Sequence, residues 1–189
     1  EPSATPTLAP LNLQGTIIGW GGRDLRNNGA LNIQARPLNG GGAFTTLDLE
    51  DGKDPISTMD GQIIAYTPYF SSQGQFGVLL VTRDGDVIPS PLDQASQFGG
   101  FIRSSSPSLS QGAARVAFIG HKFSTSTDEI YVVVISGQAI NESSIVQITN
   151  DGANYSLPSI SPDGTRVVAI RTDSESQDLV VIDVNTQQM

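Results

Sequence analysis

The chain has 189 residues, a formal net charge of −9 at neutral pH and no cysteine. The lack of cysteine excludes disulfides, thiolate metal sites and cysteine nucleophiles. Because only ten residues are basic and they are scattered, the charge balance argues against nucleic acid and anionic membrane surfaces as partners.

Residues 1–9 are rich in proline and threonine, which is typical of an extended linker. Such a linker commonly follows a signal peptide or a membrane anchor, so we expect an extracytoplasmic protein (periplasm, lumen or secreted) after signal-peptide removal. An artificial expression boundary is the other explanation. The longest apolar run, IYVVVI at 130–135, is far shorter than the ~20 residues of a membrane-spanning helix.

Runs of β-branched or aromatic residues, bounded by Gly, Pro, Asn, Asp and Ser, predict strands throughout the chain. In chain order the clearest runs are TIIGW, QIIAYT, GVLLVT, RVAFI, IYVVVI, RVVAI and DLVVIDV. No segment has sustained helical spacing of apolar residues. The sequence therefore predicts an all-β fold with almost no helix.

These strands belong to a repeat. PSISPDGTRVVAI, which begins at Pro158, matches PSLSQGAARVAFI from Pro107, PISTMDGQIIAYT from Pro55 and a weaker copy, PLNLQGTIIGW, from Pro10. Each copy contains a short strand, a turn with glycine and a second strand. The predicted turn residues are Gly15, Gly61, Gly112, Asp163 and Gly164. Because glycine occurs in all four turns and the acid does not, we interpret Asp163 as a hairpin residue rather than a ligand.

A polar loop and a third strand follow each turn, and a fourth strand follows in at least two copies. Four strands per unit at a spacing of about 50 residues are typical of a β-propeller blade. We predict about four four-stranded antiparallel blades, at approximately 10–50, 51–103, 104–150 and 151–189. We expect Ala65, Ala117 and Ala169 to be equivalent small residues that let the blades pack closely.

The stretch LPSISPDGTRVVAIRTD…QDLVVIDVNT resembles the repeat of TolB-like propellers and of the propeller domains of prolyl oligopeptidase-type enzymes. The shared features are a Ser-Pro-Asp-Gly turn, an apolar-Ala-aromatic strand and a strand similar to IYVMD. Propellers of this type usually have about six or seven blades, within the range known for the fold. The chain could therefore be part of a longer chain, a four-bladed ring, or an open half-ring that forms a homo-oligomer through open blade edges.

No catalytic constellation is visible in the sequence. His121 is the only histidine, and Gly-x-Ser-x-Gly does not occur, so we expect a solvated loop histidine. The acidic stretches at 48–54 and 83–86 lack the spacing of calcium loops. We therefore predict no catalytic residue, no metal and no cofactor.

The loops after the second strands and the connections between blades emerge on one side of a propeller. We call this side the loop face. It is predicted to hold Arg23, Asp24, Arg26, Tyr69, Phe70, His121, Lys122, Phe123 and Tyr155. Aromatic residues and arginine are enriched where proteins bind proteins. The alternative is that Phe70 and Phe123 point inward and cap the blades.

The resulting hypothesis is a non-enzymatic protein-binding or accessory scaffold module, similar to TolB-like propellers, that presents the loop face to a protein partner or a larger complex. Such a complex could lie at a membrane, although the chain has no transmembrane segment. The alternative is a propeller that gates a prolyl oligopeptidase-type serine hydrolase, with the catalytic domain outside this chain. A Gly-x-Ser-x-Gly segment further along the reading frame would favour the alternative.

Overall fold

The computed structural model describes residues 16–24, 30–37, 45–46, 52–58, 60–68, 77–82, 86–88, 101–122, 124–136, 139–140 and 142–189. Regular structure in these ranges is almost entirely β-strand. The exceptions are two single 3₁₀ turns, Gln111–Ala113 and Glu142–Ser144. The prediction of an all-β chain with almost no helix is confirmed.

Within the described ranges, four antiparallel sheets follow one another in chain order, and we call them blades 1 to 4. Blade 1 contains β1 (Thr16–Asp24), β2 (Ala30–Pro37) and β3 (Thr45–Thr46). Blade 2 contains β4 (Gly52–Ser57), β5 (Ile63–Pro68), β6 (Leu79–Thr82) and β7 (Val87–Ile88). Blade 3 contains β8 (Phe101–Leu109), β9 (Arg115–Lys122), β10 (Glu129–Ser136), β11 (Ala139–Ile140) and β12 (Val146–Gln147). Blade 4 contains β13 (Asn154–Ile160), β14 (Arg166–Thr172) and β15 (Gln177–Asp183).

The fourth strands are short. In blades 1 to 3 the strands at this position have two residues each, and in blade 3 both β11 and β12 pair with β10. Blade 4 shows the start of a return. After a turn, the carbonyl of Gln188 accepts a hydrogen bond from the N–H of Asp183 at 2.9 Å. The outer edge of each blade is therefore its least regular part.

The core lies between successive blades, so each middle blade buries both faces. Blades 1 and 2 meet at Ile33, Ile64, Tyr66 and Val81. Blade 2 packs Ala65, Val78, Leu80 and Ile88 on Leu109, Val116, Phe118, Tyr131 and Val133 of blade 3. Blade 3 packs Ala117, Ile119, Ile130, Val132 and Ile148 on Ala153, Tyr155, Ile160, Val167, Ala169 and Ile182, which belong to blade 4 and the segment leading into it.

The strand register corrects one equivalence drawn from the sequence. Val116 pairs with Leu109 in blade 3, and Val167 pairs with Ile160 in blade 4. Ala169 is thus equivalent to Phe118 and not to Ala117, so the expected match is wrong by one residue. The turn glycine lies three residues before the second strand in blade 3 (Gly112) and two residues before it in blade 4 (Gly164). Aligning the glycines therefore shifts the second strand by one residue, which moves each side chain to the other face of the sheet.

The turn between β13 and β14 uses Asp163 as an internal acceptor. Its carboxylate accepts hydrogen bonds from the Ser161 hydroxyl at 2.6 Å, the Thr165 N–H at 3.0 Å and the Thr165 hydroxyl at 2.9 Å. These bonds, the one from Ser161 first, lower the pKa of Asp163 to about 2. Gly164 follows with φ of +72°. Asp163 is engaged by its own turn.

The same hydroxyl contact recurs in three blades. In blades 2, 3 and 4, a hydroxyl at the end of the first strand accepts a hydrogen bond from the backbone N–H at the start of the second strand. The pairs are Thr58 with Ile63, Ser110 with Arg115, and Ser161 with Arg166. Asp60 closes its turn as Asp163 does, with bonds from Thr58 and Gln62. In blade 3, Gly112 takes the place of the acid and has φ of +70°.

Replacing Gly164 should cost more than replacing Gly61, although both have positive φ. An added Cβ at Gly61 meets nothing within 4 Å, whereas at Gly164 it would lie 2.9 Å from Cδ of Arg115. We expect Gly61→Ala to lower the free energy of unfolding by about 1 kcal/mol through backbone strain. Gly164→Ala should lower it by roughly 2 to 3 kcal/mol, because it also displaces the Arg115 hydrogen bond to the Gly164 carbonyl. Urea unfolding of both variants measures the difference, and equal losses would contradict it.

The first strands of blades 2, 3 and 4 share a bulge. The residue before a proline has positive φ at Asp54, Ser106 and Leu157, with values of +53°, +52° and +51°. The register shifts at the same places. These residues line a cavity of about 220 Å³ together with Pro107 and Pro158. The bulges therefore bring the first strands of three successive blades together.

Candidate functional site

The structure describes part of the predicted loop face. His121 and Lys122 end strand β9, at the side of blade 3 that meets the connection into blade 4. Arg23 and Asp24 end strand β1, where the backbone alone is described. The remaining predicted face residues Arg26, Tyr69, Phe70 and Phe123, and the turn residue Gly15, lie outside the described residues.

His121 lies in a strand and is bonded, so the expectation of a solvated loop histidine is wrong. Its Nδ1 lies 2.9 Å from Oδ1 of Asp128, and its side chain is 20% exposed. The N–H of Asp128 donates to the Asn154 side chain at 3.0 Å, and the carbonyl of Asp128 accepts the N–H of Tyr155 at 2.8 Å. These contacts tie the loop of blade 3 to the first strand of blade 4.

Tyr155 belongs to the core rather than to the surface of the loop face. It is 2% exposed, because its pairing with Arg171 turns the side chain toward blade 3. Its hydroxyl lies 3.5 Å from the sulfur of Met189. Burial, together with the nearby Asp151 carboxylate, raises the pKa of Tyr155 to about 12. The ring therefore packs in the core between blades 3 and 4, beneath the loop face.

Arg171 is a residue of this face that the sequence analysis missed. Its Nε donates to Asp151 at 2.7 Å, and its Nη1 donates to Asp173. The two hydrogen bonds, with Asp151 first, raise the pKa of Arg171. Asp173 also accepts the N–H groups of Glu175 and Ser176, and these bonds together with Arg171 lower its pKa to about 2. The signal in the sequence was an arginine two residues before an acid at the end of a predicted strand.

The described part of the loop face is acidic. It carries the carboxylates of Asp128, Asp151, Asp173, Glu175 and Asp178, against the permanent cations of Lys122 and Arg171. Arg171 is already neutralised by two carboxylates. Lys122 lies over the Tyr131 ring at 4.9 Å from its centroid. Most of the arginine and aromatic residues predicted for this face lie outside the described residues, and the described part adds an acidic surface that the sequence analysis did not predict.

A buried carboxylate lies beneath this face. Glu129 is 1% exposed and accepts hydrogen bonds from the hydroxyls of Thr149 at 2.6 Å and Thr127 at 2.7 Å. The Thr149 hydroxyl also accepts the N–H of Ile130 at 2.8 Å. Burial raises the pKa of Glu129, and the two hydroxyls partly offset this. The network joins β10 to the segment leading into blade 4.

A cleft of about 270 Å³ opens beside Asp151. Its walls come from the end of blade 3 and from the last residues of the chain. The lining residues are Gln147, Ile148, Thr149, Asn150, Asp151, Tyr155, Gln187 and Met189. The lining combines apolar side chains with amides, two hydroxyl-bearing residues and one carboxylate that Arg171 already engages.

Among the residues that the structure describes, no group of three or more His, Asp or Glu side chains is placed to hold a metal. In the same ranges, His121 is bonded to Asp128 and to no serine hydroxyl. No helix in the described part of the chain is long and apolar enough to cross a membrane.

Stacked antiparallel blades, each buried against the next, define the class of this protein as a β-propeller, here a partial one. No protein-family model matches the sequence, and no curated protein is similar to it in sequence. Solved structures do match the fold.

TolB from Acinetobacter baumannii is similar over 83% of this chain and 36% of its own length, with a TM-score of 0.60 and 14% identity. A prolyl endopeptidase is similar over 92% and 26%, with a TM-score of 0.65 and 14% identity. Hydrazine synthase from Kuenenia stuttgartiensis is similar over 95% and 30%, with a TM-score of 0.58 and 13% identity. The chain thus spans about a third or less of these structures, and the TolB-like propeller fold expected from the repeat is confirmed.

Proposed function

We propose that the protein is a non-enzymatic binding module, outside the cytoplasm, that engages a basic protein partner through the loop face. The observation that carries this proposal is the fixed acidic surface where blades 3 and 4 meet. Asp128, Asp151 and Asp173 are each held there by hydrogen bonds. The linker-like residues 1–9 and the likeness to TolB support the proposed extracytoplasmic location.

Rigidity supports a binding role for this surface. The Asp173 carboxylate is fixed by two backbone N–H groups and Arg171. The Asp128 carboxylate is bonded to His121, and the backbone of Asp128 is bonded to Asn154 and Tyr155. Side chains that are already ordered lose little conformational entropy when a partner binds. A preorganised set of charges therefore favours specific binding over nonspecific electrostatic association.

The sign of the charge supports a basic partner. The whole chain carries a net charge of −9, and the exposed acids Glu175 and Asp178 extend the negative surface beyond the Arg171 cluster. Complementary charge accelerates encounter and excludes partners of the same sign. A protein surface rich in lysine or arginine has the chemistry that this face recognises.

The absence of a nucleophile near His121 in the described ranges supports binding over hydrolysis. Catalysis by a Ser/His/Asp arrangement needs a hydroxyl within hydrogen-bond reach of the second ring nitrogen. The likeness to a prolyl endopeptidase concerns the fold, and it covers 26% of that enzyme. A gating role in such an enzyme is the second candidate, and it depends on a catalytic domain outside these residues.

Neutralising two acids of the loop face should weaken partner binding. We expect Glu175→Gln with Asp178→Asn to raise the dissociation constant about three- to tenfold and to flatten its salt dependence, because each exposed charge contributes up to ~1 kcal/mol. The partner is first identified by crosslinking in cell extract and then titrated by calorimetry at several salt concentrations.

A matched control is available at the opposite end of the blades. Asn185→Lys with Gln62→Lys changes the net charge by the same +2 at exposed positions. This control should leave the affinity within about twofold, since it lies outside the face. If the control pair weakens binding as much as the face pair does, the loop-face assignment is wrong and general attraction by net charge explains the association.

A further inference from the structure

The first strands of blades 2, 3 and 4 form one edge of their sheets and lie side by side. Strands β4, β8 and β13 each stand at one end of the strand order, and β8 contacts both β4 and β13. The bulges at Asp54, Ser106 and Leu157 therefore come together at a common cavity of about 220 Å³, which we call the bulge cavity. Its lining consists of Asp54, Ser106, Pro107, Leu157 and Pro158.

Each bulge sets two residues of the first strand against one residue of the second. In blade 3, Ser106 and Pro107 lie between the paired residues Ser105 and Ser108 and oppose Phe118 alone. A bulge of this kind redirects a side chain away from the regular alternation of its strand. Positive φ is unfavourable for residues with a Cβ, and such conformations concentrate at functional sites. Three of them at one cavity indicate a binding site.

Leu157 shows that the fold alone does not explain these residues. Its side chain is 68% exposed, so it adds little to the core. Its φ of +51° is a conformation that glycine and asparagine accept readily and that is an outlier for a bulky residue. Pro107 and Pro158, which line the same cavity, are buried. Leu157 and the two prolyl rings thus provide an apolar wall.

Asp54 supplies the charge of the cavity. Its side chain is exposed, and within the described ranges no hydrogen bond or ion pair engages its carboxylate. In contrast, Asp60 and Asp163 accept hydrogen bonds within their own turns. The N–H of Ser106 donates to the Thr67 hydroxyl at 3.2 Å, which fixes the neighbouring bulge. The cavity therefore combines an available carboxylate with an apolar wall.

This combination selects an organic cation. An anion would be repelled by Asp54 and by the net charge of −9. A calcium ion takes about 6–8 oxygen ligands, whereas this lining offers one carboxylate beside three apolar residues. The volume is smaller than the ~300–1,000 Å³ of sites for drug-sized ligands. The ligand that fits is therefore a small cation on an apolar body.

We propose that the bulge cavity binds a primary ammonium group carried on a short aliphatic chain. The ammonium group donates to the Asp54 carboxylate and to the Ser106 hydroxyl, and charge-assisted hydrogen bonds of this kind are stronger than neutral ones. The aliphatic chain packs against Leu157 and the two prolyl rings. A free alkylamine and a lysine side chain share this chemistry. The bulge cavity has no residue in common with the loop face, so the two proposals are tested separately.

Titration with n-butylammonium chloride, followed by heteronuclear NMR of the amide signals, tests the site. We expect saturable shifts at Asp54, Ser106 and Leu157, with a dissociation constant of about millimolar order for so small a ligand. The peptide acetyl-Gly-Lys-Gly-amide, titrated in parallel, distinguishes a lysine side chain from a free amine as the source of the ammonium group. n-Butanol has a similar chain without the charge and should bind at least about tenfold more weakly than the cation that binds. Saturable shifts with neither cation, or equal binding of butanol, would overturn the proposal.

Asp54→Asn removes the charge and keeps the bulge, because asparagine tolerates positive φ. It should raise the dissociation constant about tenfold or more. Asp86→Asn is the matched control, since Asp86 is exposed in the hairpin between β6 and β7, at the far edge of blade 2 from β4. The control should change the constant by less than about twofold. Equal weakening by the two variants would show nonspecific attraction to net charge and would overturn the assignment.

Leu157→Asn separates ligand binding from stability. Asparagine relieves the backbone strain, so the urea midpoint should stay the same or rise. The same variant loses apolar contact with the aliphatic chain, so binding should weaken about threefold or more. An unchanged dissociation constant, together with a lower urea midpoint, would show that Leu157 serves the fold and would overturn its place in the site.

Discussion

Phe118→Ala is expected to lower the free energy of unfolding by about 4 kcal/mol, the largest loss that any single truncation in the described core should cause. Phe118 is fully buried between blades 2 and 3 and stacks on Tyr131, with ring centroids 5.7 Å apart and an interplanar angle of 25°. Truncation removes the apolar contact area and leaves a cavity that two rigid sheets cannot close. Since domains of this size have roughly 5–15 kcal/mol of stability in total, much of that margin is lost.

Urea unfolding followed by circular dichroism, at one protein concentration, measures the effect. Val134→Ala is the control, because Val134 lies in a strand that borders the same core but is 42% exposed. The free energy of unfolding of Val134→Ala should fall by no more than ~0.5 kcal/mol. Similar losses for the two variants would show that the contact between blades 2 and 3 does not hold the fold together.

Thr149→Val is expected to cost about 2 to 4 kcal/mol at neutral pH, because it breaks two buried hydrogen bonds without changing the side-chain shape. The Thr149 hydroxyl donates to Glu129 and accepts from the N–H of Ile130. Glu129 is 1% exposed and Ile130 is fully buried, so the two groups that lose a hydrogen-bond partner lie away from the surface. Thermal or urea unfolding measures the loss.

The cost of Thr149→Val should depend on pH, and the sign follows from Glu129. Burial raises the pKa of this carboxyl above its ordinary value of 4.5. A raised pKa means that its contribution to stability is fully present below pH 4.5 and is lost as the pH rises through the folded-state pKa. Removing a hydroxyl that donates to the ionised form raises the pKa further, so the penalty of Thr149→Val should grow as the pH rises above 4.5.

Glu129→Gln separates this titration from a simple loss of packing. Glutamine keeps the shape and one acceptor but cannot ionise, so in this background the penalty of Thr149→Val should no longer vary with pH. The exposed acids with lowered pKa values, such as Asp163 and Asp173, titrate in all variants and cancel in the comparison. A pH-dependent penalty that persists with Glu129→Gln would contradict the assignment.

The recurrence of a glycine turn between two apolar strands, with the full Ser-Pro-Asp-Gly turn at residues 161–164, was enough to predict blades of this propeller type. The information is local, because the Asp163 carboxylate bonds within its own turn and Gly164 supplies the positive φ that the turn needs. Alternating apolar residues then identify the strands on either side. The same reasoning failed for Ala169, because matching the turn glycines did not reveal which way the strand faced.

The loop face was predicted less well than the blades. Position along the chain assigned His121 to a solvated loop, whereas it lies near the end of the second strand and is bonded to Asp128 across the strand-to-strand loop. It suggested Tyr155 as a surface aromatic, whereas pairing with Arg171 turns the ring into the core. It also missed Arg171, whose partners are 20 residues before it and two after it in the chain.

The sequence by itself determined the repeat, the strands and the turns of this protein, since hydrophobic alternation and turn chemistry act over a few neighbouring residues. The tertiary structure alone decided which face each side chain occupies, which charges meet on the loop face, and which apolar side chains are exposed, such as Leu179 and Val181. The physical reason is that those properties depend on strand register and on the packing of one blade against the next. They are set by contacts between residues about 50 positions apart, such as Arg115 with Gly164, and no local pattern records them.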